Sequence, residues 1–125
     1  LKERTFFEKF RERLEVAKLC VKNGYLNASV SNCYYALFNL MQAFLGKPEN
    51  KRWKHGGIVK AFLLFCRERK IFLSVEIDKI AYELYQLRRI ADYEQVSISD
   101  AEKVKELIRS VEKVAFEVEN AEKKI

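Results

Sequence analysis

The 125-residue chain is of single-domain length and 49% hydrophobic, with one proline and four glycines, a composition that favours long helices and excludes a turn-rich strand sandwich. Its formal charge is +6, and the segment from Ser99 onward holds seven acidic and six basic residues, so the first 98 positions carry +7; that asymmetry attracts an anionic partner but lacks the dense Lys/Arg clusters of a dedicated DNA binder. Cys20, Cys33 and Cys66 are too few and too scattered for a disulfide framework or a CxxC zinc site, and they fit buried free thiols.

Apolar spacing predicts five helices. The first spans about Arg4–Lys22, with Phe6, Phe10, Leu14, Ala17 and Val21 recurring at intervals of three and four. Asn23-Gly24 follows as a stop. The second covers about Asn27–Leu45, with Asn27 as N-cap and a stripe of Val30, Cys33, Tyr34, Leu37, Met41 and Phe44. Ala36, Phe38, Leu40 and Leu45 widen that stripe, so this helix is expected at the centre of a bundle.

Gly46 and Pro48 end it, and a polar connection follows. Lys47, Lys51, Arg52 and Lys54 make this the densest positive patch, suited to steering a polyanion or simply solvated. Trp53 either anchors the loop or stands at an interface. The third helix is predicted over Ile58–Lys70, with Ile58, Phe62, Phe65 and Cys66 inward. Ser74 is the expected cap of the fourth, Val75–Tyr93, whose core stripe is Ile77, Ile80, Ala81, Leu84, Leu87 and Ala91. Ser99-Asp100-Ala101-Glu102 reads as a capping box for the fifth, which runs to about Glu122. Period-two alternation is nowhere sustained and no stretch resembles a linker. The expectation is one all-α domain over residues 1–125, an up-and-down bundle.

No apolar run is long enough to span a bilayer, and LKERTFF lacks the apolar core of a secretion signal. A cytoplasmic protein without membrane contact is therefore expected. No cluster of metal ligands is legible, and no cofactor motif; Gly56-Gly57 lacks the spacing of a phosphate loop.

Chemistry concentrates in Arg88-Arg89-Ile90-Ala91-Asp92-Tyr93. Helical spacing stacks Arg88 with Asp92 and Arg89 with Tyr93. A guanidinium here can grip phosphate; equally, an Arg–Asp pair and a tyrosine can close a bundle or a subunit contact. His55, the lone histidine, can cap the third helix, touch a phosphate at its N-terminus, or act as a general base. Ser31, Tyr35 and Asn39 make a polar strip beside the core face of the second helix, and Tyr34 and Tyr35 are otherwise packing residues.

Ala28-Ser29-Val30-Ser31-Asn32-Cys33-Tyr34-Tyr35-Ala36-Leu37-Phe38, then Lys54-His55-Gly56-Gly57, then Leu84 through Tyr93, in this order, resemble the HEPN domain superfamily. The likeness is to a small prokaryotic branch marked by YYA-F and R-x-x-ADY signatures, and it covers nearly the whole chain. It implies a helical bundle, often homodimeric and often encoded beside a minimal nucleotidyltransferase. Many such proteins are metal-independent ribonucleases that act as toxins, and others bind nucleotides. The ribonucleases carry an arginine followed within the next two turns by a histidine. Here Arg88 or Arg89 matches the arginine, but Asp92, Tyr93 and Glu94 stand downstream, with no histidine.

The resemblance therefore implies a nucleotide- or RNA-binding protein, paired with a nucleotidyltransferase in a toxin–antitoxin-like system. Arg88, Arg89, Lys54, His55 and Tyr35 are its binding candidates. The alternative is a divergent endoribonuclease in which Arg88 or Arg89 stabilises phosphorane charge and His55, Asp92 or Tyr93 moves the proton. A structural dimeric adaptor without ligand is a third reading. Tyr93 matches, by local position, a motif tyrosine that some relatives have adenylylated.

Overall fold

The computed structural model describes residues 3–47 and 53–123. Lys51 and Arg52 of the basic connection, and Pro48, lie outside the described residues. Five helices follow one another: α1 (Arg4–Lys22), α2 (Leu26–Leu45), α3 (His55–Glu68), α4 (Ile77–Tyr93) and α5 (Ala101–Lys123). No strand occurs among the described residues. The all-α, up-and-down bundle is as expected.

α2 is the central helix. Ten of its residues are buried, from Ser29 to Phe44, and they meet the core faces of the other helices. Phe62, Leu37, Leu40 and Leu84 are almost wholly removed from water, each contributing about 1.5–3 kcal/mol of burial. α1 and α2 form an antiparallel hairpin. Glu3 N–H at one end donates to Ala43 C=O, while Gly24, at φ 81°, turns the chain at the other. Between these ends the hydroxyl of Ser29, the one buried polar residue among those described, donates to Ala17 C=O at 2.7 Å.

Several helix ends depart from the expectations, each for a local reason. In α1 the buried face uses Phe7, and Phe6 is only partly covered. Asn27 does not cap α2, which starts one residue earlier; its Oδ1 instead accepts from Ile98 N–H at 2.9 Å and ties the α4–α5 loop to the start of α2. α3 begins at His55 rather than Ile58, with Lys54 as cap residue and no capping side chain. Its end is also earlier than expected. Lys70 adopts φ 56° and Ile71 N–H bonds back to Cys66 C=O at 2.8 Å, closing a left-handed cap without a glycine.

α4 starts at Ile77 behind Glu76, leaving Val75 outside the helix. Ser74 is no cap: its N–H donates to Glu117 Oε1 of α5. The cap of α5 is Asp100 rather than Ser99, since Asp100 Oδ1 accepts from Lys103 N–H at 3.1 Å. Glu102 instead meets Lys105. Trp53 is a loop anchor, donating to Gly46 C=O at 2.8 Å and packing against the core. Cys33 and Cys66 are buried free thiols, and Cys20 is half-buried.

Candidate functional site

The site grows from the register of two antiparallel helices. Ser31 and Tyr35 lie one turn apart on α2 and face Asp92 and Arg88, one turn apart on α4. The third contributor is the first turn of α3, which carries His55 onto the same seam through Tyr34 and Tyr85.

Arg88 is the centre. Its guanidinium carbon lies 4.9 Å from the ring centre of Tyr34, 5.8 Å from Tyr35, 5.7 Å from Tyr85 and 5.5 Å from Tyr93. Four aromatic rings thus surround one cation, each attracting it through its quadrupole. Nη1 lies 3.4 Å from the Tyr35 hydroxyl and 3.5 Å from that of Tyr93. Only 13% of the Arg88 side chain remains exposed, and Nε is buried without a hydrogen-bond partner among the described residues. Burial by itself loosens the guanidinium proton. The Tyr93 hydroxyl and the phenol oxygens of Tyr35 and Tyr34 more than offset that, so its pKa is raised above the usual value.

The carboxylate that should neutralise Arg88 is held elsewhere. Asp92 Oδ2 stands 3.8 Å from Nη1, a loose ion pair. Its other oxygen accepts a hydrogen bond from Ser31 Oγ. Ser31 therefore fixes the carboxylate on the α2 side, and Arg88 keeps an incompletely answered charge. Tyr93 pairs with Arg88, not with Arg89 as helical spacing alone predicts. Arg89, one step round α4, is exposed and has no ion pair among the described residues.

His55 stacks on Tyr85 with ring centres 4.5 Å apart and on Tyr34 at 5.8 Å. Its Nδ1 is 3.4 Å from the Tyr34 hydroxyl. Burial, then the positive charge of Arg88, lowers its pKa below 6.5, so the ring is neutral at pH 7. Burial also raises the pKa of Tyr34, against the pull of Arg88, and the phenol keeps its proton. A Tyr34 hydroxyl donating to Nδ1 places the imidazole hydrogen on Nε2. The space between Tyr34, His55, Phe38 and Met41 is filled, with no room for a water molecule. What is offered to a ligand is the outer rim of the cluster, not a cavity.

Of the sequence candidates, Arg88, Asp92, Tyr93, Tyr35 and His55 come together. Lys54 stays at the edge as the exposed cap of α3, and Arg89 stays outside. Asn39 leaves the polar strip and bonds Gln42 at 2.9 Å. Two members are additional. Tyr85 precedes Arg88 by three positions, a spacing that places both on one face of a helix. Arg13, from α1, covers the outer face of Tyr35 at 5.1 Å; nothing in its local sequence distinguishes it from other α1 cations.

Among the described residues, no group of three or more His, Cys, Asp or Glu side chains is placed to hold a metal ion. No helix among them is long and apolar enough to cross a membrane.

A HEPN domain model matches residues 4–121. A Thermotoga maritima protein named "UPF0332 protein" is 34% identical over 103 residues, covering 82% of this chain and 76% of its own. Two Methanocaldococcus jannaschii proteins, each named "putative toxin", are 31% and 32% identical over 88 and 83 residues. Those matches cover 70% and 66% of this chain and 58% and 60% of the two relatives.

Proposed function

The chain belongs to the HEPN domain family, and from that premise we propose that it is a nucleotide- or RNA-binding protein that grips phosphate through Arg88. The observation that carries this reading is a guanidinium held in place by four tyrosine rings while its carboxylate neighbour is engaged by serine. Such a cation is oriented before a ligand arrives, so less side-chain entropy is lost on binding. Arg13, Lys54 and Arg89 add positive charge around it, and Tyr93 offers a largely exposed ring and hydroxyl at the rim.

The biological setting in this reading is a toxin–antitoxin-like pair. The protein acts as a homodimer and its partner is a minimal nucleotidyltransferase. The toxin names of two relatives support the setting; the partner follows from the family likeness. Titration of the protein with ATP and with short single-stranded RNA tests the ligand. Arg88→Ala is expected to weaken binding tenfold or more, and Arg89→Ala only slightly, since charge-assisted phosphate contacts are worth about 1.5–3 kcal/mol. Wild-type affinity in Arg88→Ala overturns the reading.

One observation favours a second reading, a metal-independent endoribonuclease. His55, neutral at pH 7, sits on the same tyrosines as Arg88. In that mechanism the imidazole is in its other tautomer, Nδ1–H donating to the Tyr34 oxygen, and Nε2 takes the proton of an RNA 2′-hydroxyl as that oxygen bonds to the adjacent phosphorus. Arg88 stabilises the extra negative charge, and the 5′-oxygen leaves with a proton from Tyr93 or water. Cleavage of RNA by wild-type protein but not by His55→Gln supports it; no cleavage by clean, unmodified protein rejects it.

A further inference from the structure

A second cationic site lies on the other flank of α1. Lys22 is nine residues from Arg13, about half a turn out of phase at 3.6 residues per turn, so the two point to opposite sides of the helix. There α1 and α5 border an open groove of about 440 Å³. Lys18 and Lys22 line it from α1, and Lys105 and Arg109 from α5. Its floor is apolar, formed by Val21 and the buried Ile108.

The charges in this groove are poorly answered. Glu112 is the one acidic residue lining it, and it is engaged by Lys18. Lys105 reaches Glu102 at 3.3 Å, an exposed pair outside the groove. Lys22 and Arg109 have no ion-pair partner among the described residues. Lys18 and Lys105 each have a carboxylate partner, so the groove's unanswered charge is that of Lys22 and Arg109, a local positive field that an anionic ligand would relieve. At the end of α1, three residues beyond Lys22, Tyr25 is 66% exposed in the α1–α2 turn.

The geometry points to a second nucleic-acid subsite: the α1–α5 groove takes the phosphodiester backbone of a single-stranded polynucleotide. Phosphates sit between Lys22, Lys105 and Arg109, and bases lie on the Val21–Ile108 floor or stack on Tyr25. Cations in two rows around an apolar strip are elements of sequence-tolerant single-strand binding, and the exposed Tyr25, outside the groove lining in the α1–α2 turn, adds an aromatic surface for stacking. An acidic protein helix is the lesser fit, because it needs a row of apolar anchor sites at helical spacing and the floor offers two side chains. The inference rests on the reading that the chain handles phosphate-bearing polymers, but it uses none of the residues around Arg88.

The test is fluorescence anisotropy with a labelled oligouridylate of about 20 nucleotides, long enough to reach beyond one site, across a salt series. Lys22→Glu/Arg109→Glu is expected to weaken binding tenfold or more. The neutral pair Lys22→Gln/Arg109→Gln is expected to lower the log K against log salt slope by about 1.4, from about 0.7 per lost single-strand phosphate contact. The neutral pair also decides the matter if charge reversal impairs folding, which circular dichroism melting reports.

Unchanged affinity and slope in the neutral pair overturn the groove, including the case where the groove instead receives an acidic protein. Mononucleotide binding separates the two readings. The groove variants should retain it, and Arg88→Ala should lose it. Loss of oligouridylate binding in the groove variants with Arg88→Ala unaffected upholds the groove and rejects the Arg88 reading. The converse rejects the groove alone.

Discussion

The two cationic regions flanking α1 are built on opposite plans. On the α2–α4 seam a single guanidinium is enclosed by tyrosine rings, nearly removed from water, and kept from its carboxylate by Ser31. In the α1–α5 groove the cations are more exposed, two of them with surface carboxylate partners and two with none among the described residues. The first arrangement gives orientation; the second gives field strength and reach. Fixing one charge demands that several helices converge, because no single helix supplies enough rings at the right spacing. A field needs only cations along a shared groove and tolerates their mobility. The seam is therefore coupled to the fold, and the groove is largely independent of it.

That coupling is most sharply tested at Tyr34. The residue is 7% exposed, and it touches Arg88, His55, Tyr35, Phe38 and Tyr85 at once. Tyr34→Ala removes a buried ring and should cost about 3 kcal/mol or more in stability, by analogy with aromatic truncations in other cores. Nucleotide affinity should fall with it, since Arg88 loses the ring nearest its guanidinium. Lys18→Ala, which breaks an exposed ion pair at the groove, should cost at most about 1 kcal/mol. Denaturant unfolding with linear extrapolation measures both. Equal costs would mean that seam and groove are not built differently after all.

Much of this was legible in the chain, and the division follows physical lines. Helix number, order and the central role of α2 depend on apolar periodicity summed over many residues, so one misplaced side chain does not matter. Phe6 and Phe7 exchanged roles without changing α1. Caps depend on single hydrogen bonds, and neighbours compete for them. Asn27 is a good cap residue whose Oδ1 accepts from Ile98 N–H instead, and Ser74, tied to Glu117 through its own N–H, stands two residues before the cap position taken by Glu76.

The Arg88 string was identifiable because a polar cluster interrupts an apolar rhythm. Its internal pairing was not. Spacing along α4 offers Tyr93 to Arg89, whereas the fold turns it to Arg88 because α2 presents Tyr35 and Ser31 on that side. Contacts between helices, such as Arg13 on Tyr35 or His55 on Tyr85, leave no mark in local sequence.

Ser31 offers a finer test of the seam. If its hydroxyl holds Asp92 away from Arg88, then Ser31→Ala frees the carboxylate to close the 3.8 Å gap and neutralise the guanidinium. ATP or RNA affinity should then fall several-fold, an effect of about 1 kcal/mol, the scale of one hydrogen bond. Asp92→Asn on the Ser31→Ala background should restore it, because the amide cannot compete as an anion. The two changes are neighbours, so their effects should be strongly non-additive. A Ser31→Ala variant that binds as wild type, or one that Asp92→Asn fails to rescue, removes the positioning role of Ser31.

The smallest effect expected is one of pH, and it separates the regions without altering either. The chain's one histidine lies on the seam and the α1–α5 groove has none among its lining residues, so the window between pH 5 and 7.5 sets the two regions apart. His55 does change there. Its folded-state pKa lies below the unfolded value of 6.5, because burial and then Arg88 disfavour the imidazolium. As pH falls below 6.5 the unfolded chain takes up the proton first, so stability contributed by neutral His55 declines and is gone once pH is below the lowered folded value. A wild-type protein should therefore lose more thermal stability between pH 7 and 5 than His55→Gln.

Anion binding should shift the opposite way. A proton on His55 adds a positive charge beside Arg88, and a phosphate bound there favours that proton. Mononucleotide affinity relative to His55→Gln should consequently rise as pH falls, while the ratio for oligouridylate held in the α1–α5 groove stays flat. Protonation of the ligand phosphate itself cancels in the comparison, since it is common to wild type and variant. If His55→Gln reproduces the wild-type pH profile for both stability and mononucleotide affinity, the imidazole is electrostatically separate from Arg88, and the seam reduces to a single cation in a ring of tyrosines.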